Sequence, residues 1–247
     1  TLIESPNIPI IGVGEGTWPS MRNTLSHIGI SEATFLAFCN ASFKQGSKFV
    51  GWTTGKEQDY YYHPFTVPPG YTELNLYQHW QAQYSQQPYS YAFCAQPTLC
   101  DEHKAPKQLA TPEYAYVANY GYHFDAGKLT ELLTEHGVQN LGITHIKAHV
   151  TDVQNHATGD IKGLMTAERG LIEGDLFIDC SGLRGRLIQQ HYGIDWHNVQ
   201  NVLKNNAAVA IQVPYSEANS AIESTTVATA LKHGWTWDIG LYHRRGM

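Results

Sequence analysis

Hydrophobic spacing predicts two helices. The stretch "DAGKLTELLTEHGV" brings Leu129, Leu132 and Leu133 onto one face of a helix, with Asp125 as its N-cap and Gly137 as a C-terminal stop. The stretch "SEATFLAFC" predicts a second helix, whose opening serine can cap it. We therefore expect a helix in each of these segments.

Other segments have the spacing of strands. "SKFVGWTT" alternates enough to form one, and the segment from Ile143 to Gly170 predicts strands with turns at "TGD" and "ERG". "GDLFIDCSGLRGRLIQQHYG" predicts a buried strand, a glycine turn and a helix. That succession is typical of a nucleotide-binding α/β fold. We therefore predict an α/β protein.

Residues 60–93 have a different character. Eleven of these 34 positions are Tyr, Phe or Trp, and Glu73 has the only formally charged side chain among them. This composition predicts a loop-rich surface layer around an aromatic pocket.

Composition narrows the class of protein. The chain has 247 residues, 42% hydrophobic and 15% charged, enough for the core of one large domain or two small ones. The net charge of −6 and the lack of any Lys/Arg block disfavour a nucleic-acid partner. No apolar run approaches the roughly 18 residues of a membrane span. Four cysteines without a C-x-x-C pair predict no metal site and a reduced, cytoplasmic protein.

Both ends of the chain have strand-like patterns. "TLIE" at the start has the pattern of the last residues of a buried strand, and "WTWDIGLYHRRGM" ends the chain within another such run. We therefore expect an internal piece of a longer protein.

Two lysines stand in apolar company in "CNASFKQGSKFVGW". Lys44 and Lys48 are four residues apart with no acid between Cys39 and Trp52, and either a helix or a strand would place both on one face. Lys44 has two interpretations. Its stem can follow the apolar surface to solvent, or the amine can be buried, where desolvation lowers its pKa and makes it a reagent.

Three polar or glycine-rich segments have the form of cofactor contacts. Glu4 ends the first strand-like run, where dinucleotide-binding folds place an acid against a ribose. "GVGEGT" is either a plain glycine turn or a backbone strap against a flat cofactor, because its spacing differs from G-x-G-x-x-G. "DCSG" is either an ordinary turn or a place where backbone approaches a phosphate, ribityl chain or ring.

Aromatic motifs allow similar alternatives. Trp235 and Trp237 share one face of a strand, which indicates packing unless a cofactor or substrate lies there. His63 and Phe65 lie in "YYYHPFTVPPG", where packing is the ordinary role of a histidine. "YHFDA" has the form of a helix entry with its cap.

Taken in order, six segments resemble the flavin-dependent tryptophan halogenases of the FAD-dependent monooxygenase-like superfamily. They are "ESPNIPIIGVGEGTWP", "ASFKQGSKFVGW", "YYHPF", "YHFDA", "DLFIDCSGLRG" and "GWTWDIG", and the second and last are the specific ones. The resemblance implies a Rossmann-like FAD-binding fold of the glutathione-reductase/monooxygenase type, with mixed sheets and an aromatic substrate-facing region.

The resemblance also implies a reaction. FAD, reduced by a separate flavin reductase, reacts with oxygen to give a C4a-hydroperoxide, which chloride or bromide attacks to form hypohalous acid. This acid travels through a tunnel to a lysine, which holds it as a haloamine or by a hydrogen bond. An indole or tryptophan-like ring is then halogenated.

Residue roles follow from the same resemblance. Lys44 matches the catalytic lysine, and Lys48 matches a second lysine that we expect to be structural. The strap over the flavin is matched by Val13, Gly14 and Glu15.

Further matches concern the rest of the cofactor and the substrate. Glu4 matches the ribose acid, and Ser181 and Gly182 match a second FAD-contacting turn. His63 and Phe65 match residues that sandwich the indole.

The W-x-W-x-I-P motif, which keeps substrate from the flavin, has a variant form here. Trp235, Trp237 and Ile239 match it, but Gly240 replaces its proline, which indicates a divergent member. The sequence therefore leaves room for a flavin-dependent aromatic monooxygenase, although no nicotinamide-binding motif is visible.

The resemblance divides the chain into two kinds of segment. We expect 1–30 and 120–195 to face FAD, and 40–119 and 196–247 to face the substrate. The family's N-terminal dinucleotide fingerprint and its C-terminal part have no counterpart in these residues. An inactive fragment of a halogenase is therefore a further interpretation.

Overall fold

A computed structural model describes residues 1–8, 14–56, 58–217 and 219–247. Its strands are β1 (Leu2–Glu4), β2 (Glu15–Gly16), β3 (Ser42–Lys44), β4 (Gly46–Val50), β5 (Tyr60–Pro64), β6 (Gly121–Phe124), β7 (His145–Lys147), β8 (Val150–Asn155), β9 (Ile161–Thr166), β10 (Gly170–Glu173), β11 (Gln212–Pro214), β12 (Thr226–Leu231), β13 (Gly234–Gly240) and β14 (Arg244–Gly246). The predicted mixed α/β architecture is confirmed.

The helices lie mostly in the first 140 residues. They are α1 (Ser20–His27), α2 (Glu32–Phe38), α3 (Leu76–His79), α4 (Tyr89–Phe93), α5 (Gln96–Asp101) and α6 (Ala126–Asn140), with π-helical turns at Trp80–Tyr84 and Arg186–His191 and a 3₁₀ turn at Gly182–Arg184. Ser31 caps α2 as predicted, because its hydroxyl accepts the N–H of Thr34 at 3.3 Å. The aromatic stretch 60–93 contains β5, α3 and α4 and is therefore more regular than its composition predicted.

Helix α6 begins where the sequence predicted but ends later. The Asp125 carboxylate accepts the N–H of Lys128 at 3.2 Å, so Asp125 caps the helix. Gly137 does not stop it. A Cβ at Gly137 would lie 3.0 Å from Cδ1 of Ile143, so the glycine makes room for the returning chain. The helix instead ends before Gly142, which has a φ of +67°.

The chain divides into two compact units. The first unit comprises the described residues of Thr1–Pro9 and Thr134–Ala207. Within it β1 and β7 form a parallel pair, and β10, β9 and β8 form an antiparallel sheet in that order. The strands and turns predicted after Ile143 are therefore confirmed.

Residues 175–180 do not form the buried strand that their apolar pattern predicted. Leu176 and Ile178 are 81% and 78% exposed, and no described strand pairs with this segment. A strand buried on both faces needs hydrogen-bonding neighbours, and here the backbone has none within the described chain. The helix predicted after the glycine turn is present as a 3₁₀ turn at Gly182–Arg184 and a short π-helix at Arg186–His191.

The second unit comprises the described residues of Ile10–Leu133 and Ala208–Met247. It contains a six-stranded sheet in the order β11-β14-β13-β12-β4-β5 and a three-stranded sheet in the order β2-β6-β3. The β12–β4 pair is parallel and the other pairs are antiparallel. The main core is built from α1, α2, β6, α6 and the residues that flank them, and its buried members are Leu25, Ile30, Phe35, Cys39, Tyr120, Tyr122, Phe124 and Leu132.

Candidate active site

Lys44 lies at the end of β3, opposite Gly121 of β6. Its side chain is buried, with 9% of its surface exposed, so the buried-amine interpretation is the one that the structure bears out. Burial lowers the pKa of the Lys44 ammonium below its usual value, because desolvation disfavours the charged form. No hydrogen bond of its amine is found among the described residues, which leaves the nitrogen available to a ligand.

Two aromatic rings that contact each other lie beside the amine. Nζ of Lys44 lies 5.6 Å from the centroid of Phe65 and 6.0 Å from that of Trp18. The two rings are 5.5 Å apart and inclined by 44°. Trp18 is 71% exposed, so one side of this cleft is open. The sequence analysis missed Trp18, although the residue lies in the quoted segment "GVGEGTWP".

Two glycines make room for this arrangement. A Cβ at Gly16 would lie 3.1 Å from Nζ of Lys44 and 3.3 Å from Cδ2 of His123. A Cβ at Gly121 would lie 2.7 Å from the carbonyl oxygen of Thr17, closer than real Cβ atoms come. The absence of both side chains therefore lets the strands pass close beneath the amine.

His123 is the second ionisable group beside Lys44. It is fully buried, and Nε2 is hydrogen-bonded to Oγ1 of Thr226 at 2.9 Å. Nδ1 has no hydrogen-bond partner within the described residues. Burial, with a smaller effect of the nearby Lys44 charge, lowers the pKa of His123 to about 3. The ring is therefore neutral at pH 7 and adds no second positive charge.

The expectation that Lys44 and Lys48 share a face is wrong. Gly46 separates them with a φ of +154°, and a Cβ there would lie 2.3 Å from the carbonyl oxygen of His63. The chain thus leaves the three-stranded sheet after Lys44 and enters the six-stranded one. Lys48 lies 4.5 Å from the Tyr60 ring centroid and 4.0 Å from the carboxylate of Asp101. These contacts agree with a structural role.

His63 has a different set of neighbours from Phe65. Its ring centroid lies 4.8 Å from that of Phe49 and 5.4 Å from that of Tyr61, on the six-stranded sheet. Phe65 instead contacts Trp18. The joint role of His63 and Phe65 around a substrate ring therefore stays a prediction.

The paired tryptophans lie on one face of β13, as predicted. Trp235 and Trp237 stack with centroids 6.0 Å apart and planes inclined by 24°. Ile239 is buried on the same strand. The backbone of Glu223 passes close to Gly240. A Cβ at Gly240 would lie 3.0 Å from the carbonyl oxygen of Glu223.

The residues expected along the strap are only partly described. Val13 lies outside the described residues. Gly14 has a φ of +144°, which favours glycine, and Glu15 pairs with Phe124 at the start of β2. These positions fix the strap to the three-stranded sheet, and its contact with a flavin stays a prediction.

The other expected FAD contacts belong to the first unit. Glu4 ends β1, and its carboxylate is 2.7 Å from Nε2 of His145. Ser181 and Gly182 are exposed, and Gly182 has a φ of +66° with open space where a Cβ would point. The adjoining Asp179 carboxylate accepts N–H bonds from Ser181, Leu187 and Ile188, and such bonds hold its pKa at about 2 against the effect of burial.

Metal-binding clusters and membrane-spanning helices are not found among the described residues. Its His, Cys, Asp and Glu residues form no group of three or more that could bind a metal ion. Among the same residues, no helix combines the length and the apolar character that crossing a membrane requires.

Comparison with known proteins gives consistent matches. The family model described as "Tryptophan halogenase" matches residues 1–247. Tryptophan 7-halogenase RebH of Lentzea aerocolonigenes is 34% identical over 262 residues, covering 100% of this chain and 49% of its own length. Tryptophan 6-halogenase ThaL of Streptomyces albogriseolus is 32% identical, with 99% and 49% covered. The chain therefore spans about half the length of these relatives.

Solved structures agree. The crystal structure of a tryptophan halogenase from Shewanella frigidimarina matches with a TM-score of 0.94 and 48% identity, over 99% of this chain and 47% of that one. Tryptophan 6-halogenase SttH from Streptomyces toxytricini matches with a TM-score of 0.90 and 32% identity, over 99% and 49%. These matches confirm the predicted fold class.

Proposed function

Because the chain belongs to the tryptophan halogenase family, we propose that the protein containing it is a flavin-dependent halogenase in which Lys44 delivers the halogen to an indole-like ring. The observation that carries the proposal is the buried Lys44 amine beside the rings of Trp18 and Phe65. An amine in this setting can take up an electrophile and pass it to an electron-rich arene beside it.

The lowered pKa of Lys44 favours this role. Desolvation increases the fraction of neutral amine, which is the nucleophilic form. The amine nitrogen bonds to the halogen of hypohalous acid while the halogen–oxygen bond breaks, and the departing hydroxide takes the amine proton to leave water. The arene carbon then bonds to the halogen as the nitrogen–halogen bond breaks. The ring loses its proton, and the amine regains one.

A protonated Lys44 offers a second route. The ammonium donates a hydrogen bond to the oxygen of hypohalous acid, which makes that oxygen a better leaving group. The halogen then passes directly to the ring carbon. Both routes need the amine and the arene in the same apolar cleft.

The cofactor of this proposal is FAD. A separate reductase would supply the reduced flavin. Together with oxygen, the reduced flavin would provide the oxidising power that converts chloride or bromide into hypohalous acid. Gly14 and Glu15 would meet the flavin from the strap, and Glu4 with Ser181 and Gly182 would hold its ribose and phosphate side. The open space at Gly182 and the partly exposed side chain of Glu4 fit such a ligand.

A flavin-dependent aromatic monooxygenase is the second candidate. Gly240, in place of the family's proline after the paired tryptophans, is the observation that favours it.

The deciding experiment measures product mass. The longest reading frame containing these residues receives reduced FAD, oxygen, bromide or chloride, and indole or tryptophan. We expect a halogen isotope pattern from the wild type, its loss in Lys44→Ala, and nearly unchanged FAD binding. Lys48→Ala is the matched control, and it should retain halogenation. A hydroxylated product from both wild type and Lys44→Ala would overturn the halogenase and favour the monooxygenase.

A further inference from the structure

A network of buried amides joins the chain after Lys44 to the backbone of Phe65. Gln45 is fully buried, and its backbone carbonyl oxygen accepts the backbone N–H of Phe65 at 3.0 Å. Its side-chain amide donates to the carbonyl oxygen of Lys104 at 2.8 Å and to Oγ of Ser224 at 2.9 Å. The residue next to the amine is therefore held on several sides.

Gln96, at the start of α5, is 1% exposed and uses its whole amide. Nε2 donates to the carbonyl oxygen of Asn119 at 2.6 Å and to Oε1 of Gln45 at 3.3 Å. Oε1 accepts the N–H of Thr66 at 2.8 Å. Since a primary amide has two N–H donors, both donors and the acceptor are engaged.

Asn119 closes the network from the other side. Its Nδ2 donates to the carbonyl oxygen of Phe65 at 3.0 Å, and its backbone N–H donates to Oγ1 of Thr66 at 2.9 Å. Oδ1 accepts from Nη2 of Arg22 at 2.5 Å, which fixes the orientation of the amide. The N–H and C=O of Phe65 and the N–H of Thr66 are thus all bonded within this network.

We infer that Gln96 and Asn119 are positioning residues that set where an arene lies relative to Lys44. The network ends on the two short segments that carry the amine and the Phe65 ring, so the spacing between them depends on it. Reaction rates fall steeply when reacting groups are misplaced by about 1 Å. The inference deepens the proposed function and rests on it in placing an arene against Phe65.

The consequence is a role in regiochemistry. The ring carbon that receives the halogen is the one nearest the Lys44 nitrogen. A shift of the Phe65 ring presents a different carbon without removing any group that touches the substrate. Gln96 and Asn119 would therefore influence the isomer ratio from outside the cleft.

Two variants cut the network at different points. Gln96→Leu removes all three of its hydrogen bonds with little change in volume. Asn119→Asp keeps the Oδ1 acceptor for Arg22 but replaces the donor to Phe65 with an oxygen. Gln108→Leu, at an exposed position, is the matched control.

The test uses the full reading frame and three readouts. They are the binding constant of FAD, the binding constant of 5-fluoroindole by ¹⁹F NMR, and the ratio of halogenated isomers. We expect both variants to bind FAD as the wild type does, to bind fluoroindole roughly threefold or more weakly, and to change the isomer ratio. Gln108→Leu should change none of the three.

The outcomes separate this inference from the proposed function. Without halogenation by the wild type, weaker fluoroindole binding in both variants still supports the positioning role. Folded variants with wild-type fluoroindole binding and isomer ratio would overturn it, and so would a wild type that binds no fluoroindole. If Gln96→Leu does not fold, Asn119→Asp decides by the same criteria.

Discussion

The side-chain nitrogen of Lys44 lies 5.6 Å from the centroid of the Phe65 ring, although Lys44 ends β3 and Phe65 follows β5 in a different sheet. This position of the amine depends on the absence of a side chain at Gly16, because a Cβ there would lie 3.1 Å from Nζ of Lys44. A cation beside an aromatic face is attracted by the ring quadrupole. The same geometry would hold an electron-rich arene within reach of the amine.

Trp18→Ala should weaken binding of an indole probe with little loss of stability. Trp18 is exposed and contributes mainly one face of the cleft, so the free energy of unfolding should change by about 0.5 kcal/mol or less. Loss of one aromatic contact should weaken binding by about 0.5–1.5 kcal/mol. Titration by ¹⁹F NMR measures the binding. Trp196→Ala, at a similarly exposed tryptophan, should leave it unchanged, and equal loss in both variants would contradict the assignment.

Gly16→Ala and Gly121→Ala should have different effects. A methyl group at Gly16 meets Nζ of Lys44, which can move, so halogenation should fall about tenfold or more while the fold persists. A methyl group at Gly121 meets the backbone of Thr17, so the protein should lose about 1–3 kcal/mol of stability. Urea unfolding and product yield separate the two. Gly234→Ala is the control, since open space surrounds that position. A Gly16→Ala enzyme with full activity would contradict the role proposed for the position of the Lys44 amine.

The free energy of unfolding should fall in mild acid because His123 is buried as the neutral ring. Its pKa is about 3 in the folded protein and about 6.5 when unfolded, so its contribution is fully present above pH 6.5 and declines as pH falls toward 3. Between pH 6.5 and pH 5 this loss is about 2 kcal/mol. Urea titrations of wild type and His123→Gln at several pH values measure it. The variant should have the flatter profile, and parallel profiles would contradict the neutral, buried ring.

Gly240→Pro should destabilise the protein, even though the W-x-W-x-I-P motif that this segment resembles has proline at that position. The chain at Glu223 passes so close that an added Cβ would lie 3.0 Å from its carbonyl oxygen. We expect a loss of about 1–3 kcal/mol. Thermal unfolding measures the cost, and Gly234→Pro, at the open start of β13, tests the general effect of proline in this strand. If Gly240→Pro is as stable as the wild type, the close passage does not require glycine.

Local features of the fold could be predicted from sequence. The Ser31 and Asp125 caps, the strands after Ile143 and the shared face of Trp235 and Trp237 all follow from residues close together in the chain. The role of Gly137 could not, since it lies inside α6 and makes room for Ile143, which returns from beyond the end of the helix.

The candidate site was predicted in part. The apolar surroundings of Lys44 and the match of its segment pointed to the amine, and the match of "YYHPF" pointed to one neighbouring ring, Phe65. Trp18, Gln96 and Asn119 carry no distinctive local pattern, although Gln96 lies among mostly apolar residues in "CAQPTL", which is a signal of a buried amide.

The sequence by itself determined the family, the candidate amine of Lys44 and most of the local elements, because each is encoded in a short segment. The tertiary structure alone decided that Lys44 and Lys48 enter different sheets, that Trp18 meets Phe65, and that buried amides link the Phe65 backbone to the chain that follows Lys44. These relationships depend on strand pairing between distant segments. Hydrophobic periodicity specifies which face of a strand is buried, but it does not specify which distant strand will lie beside it.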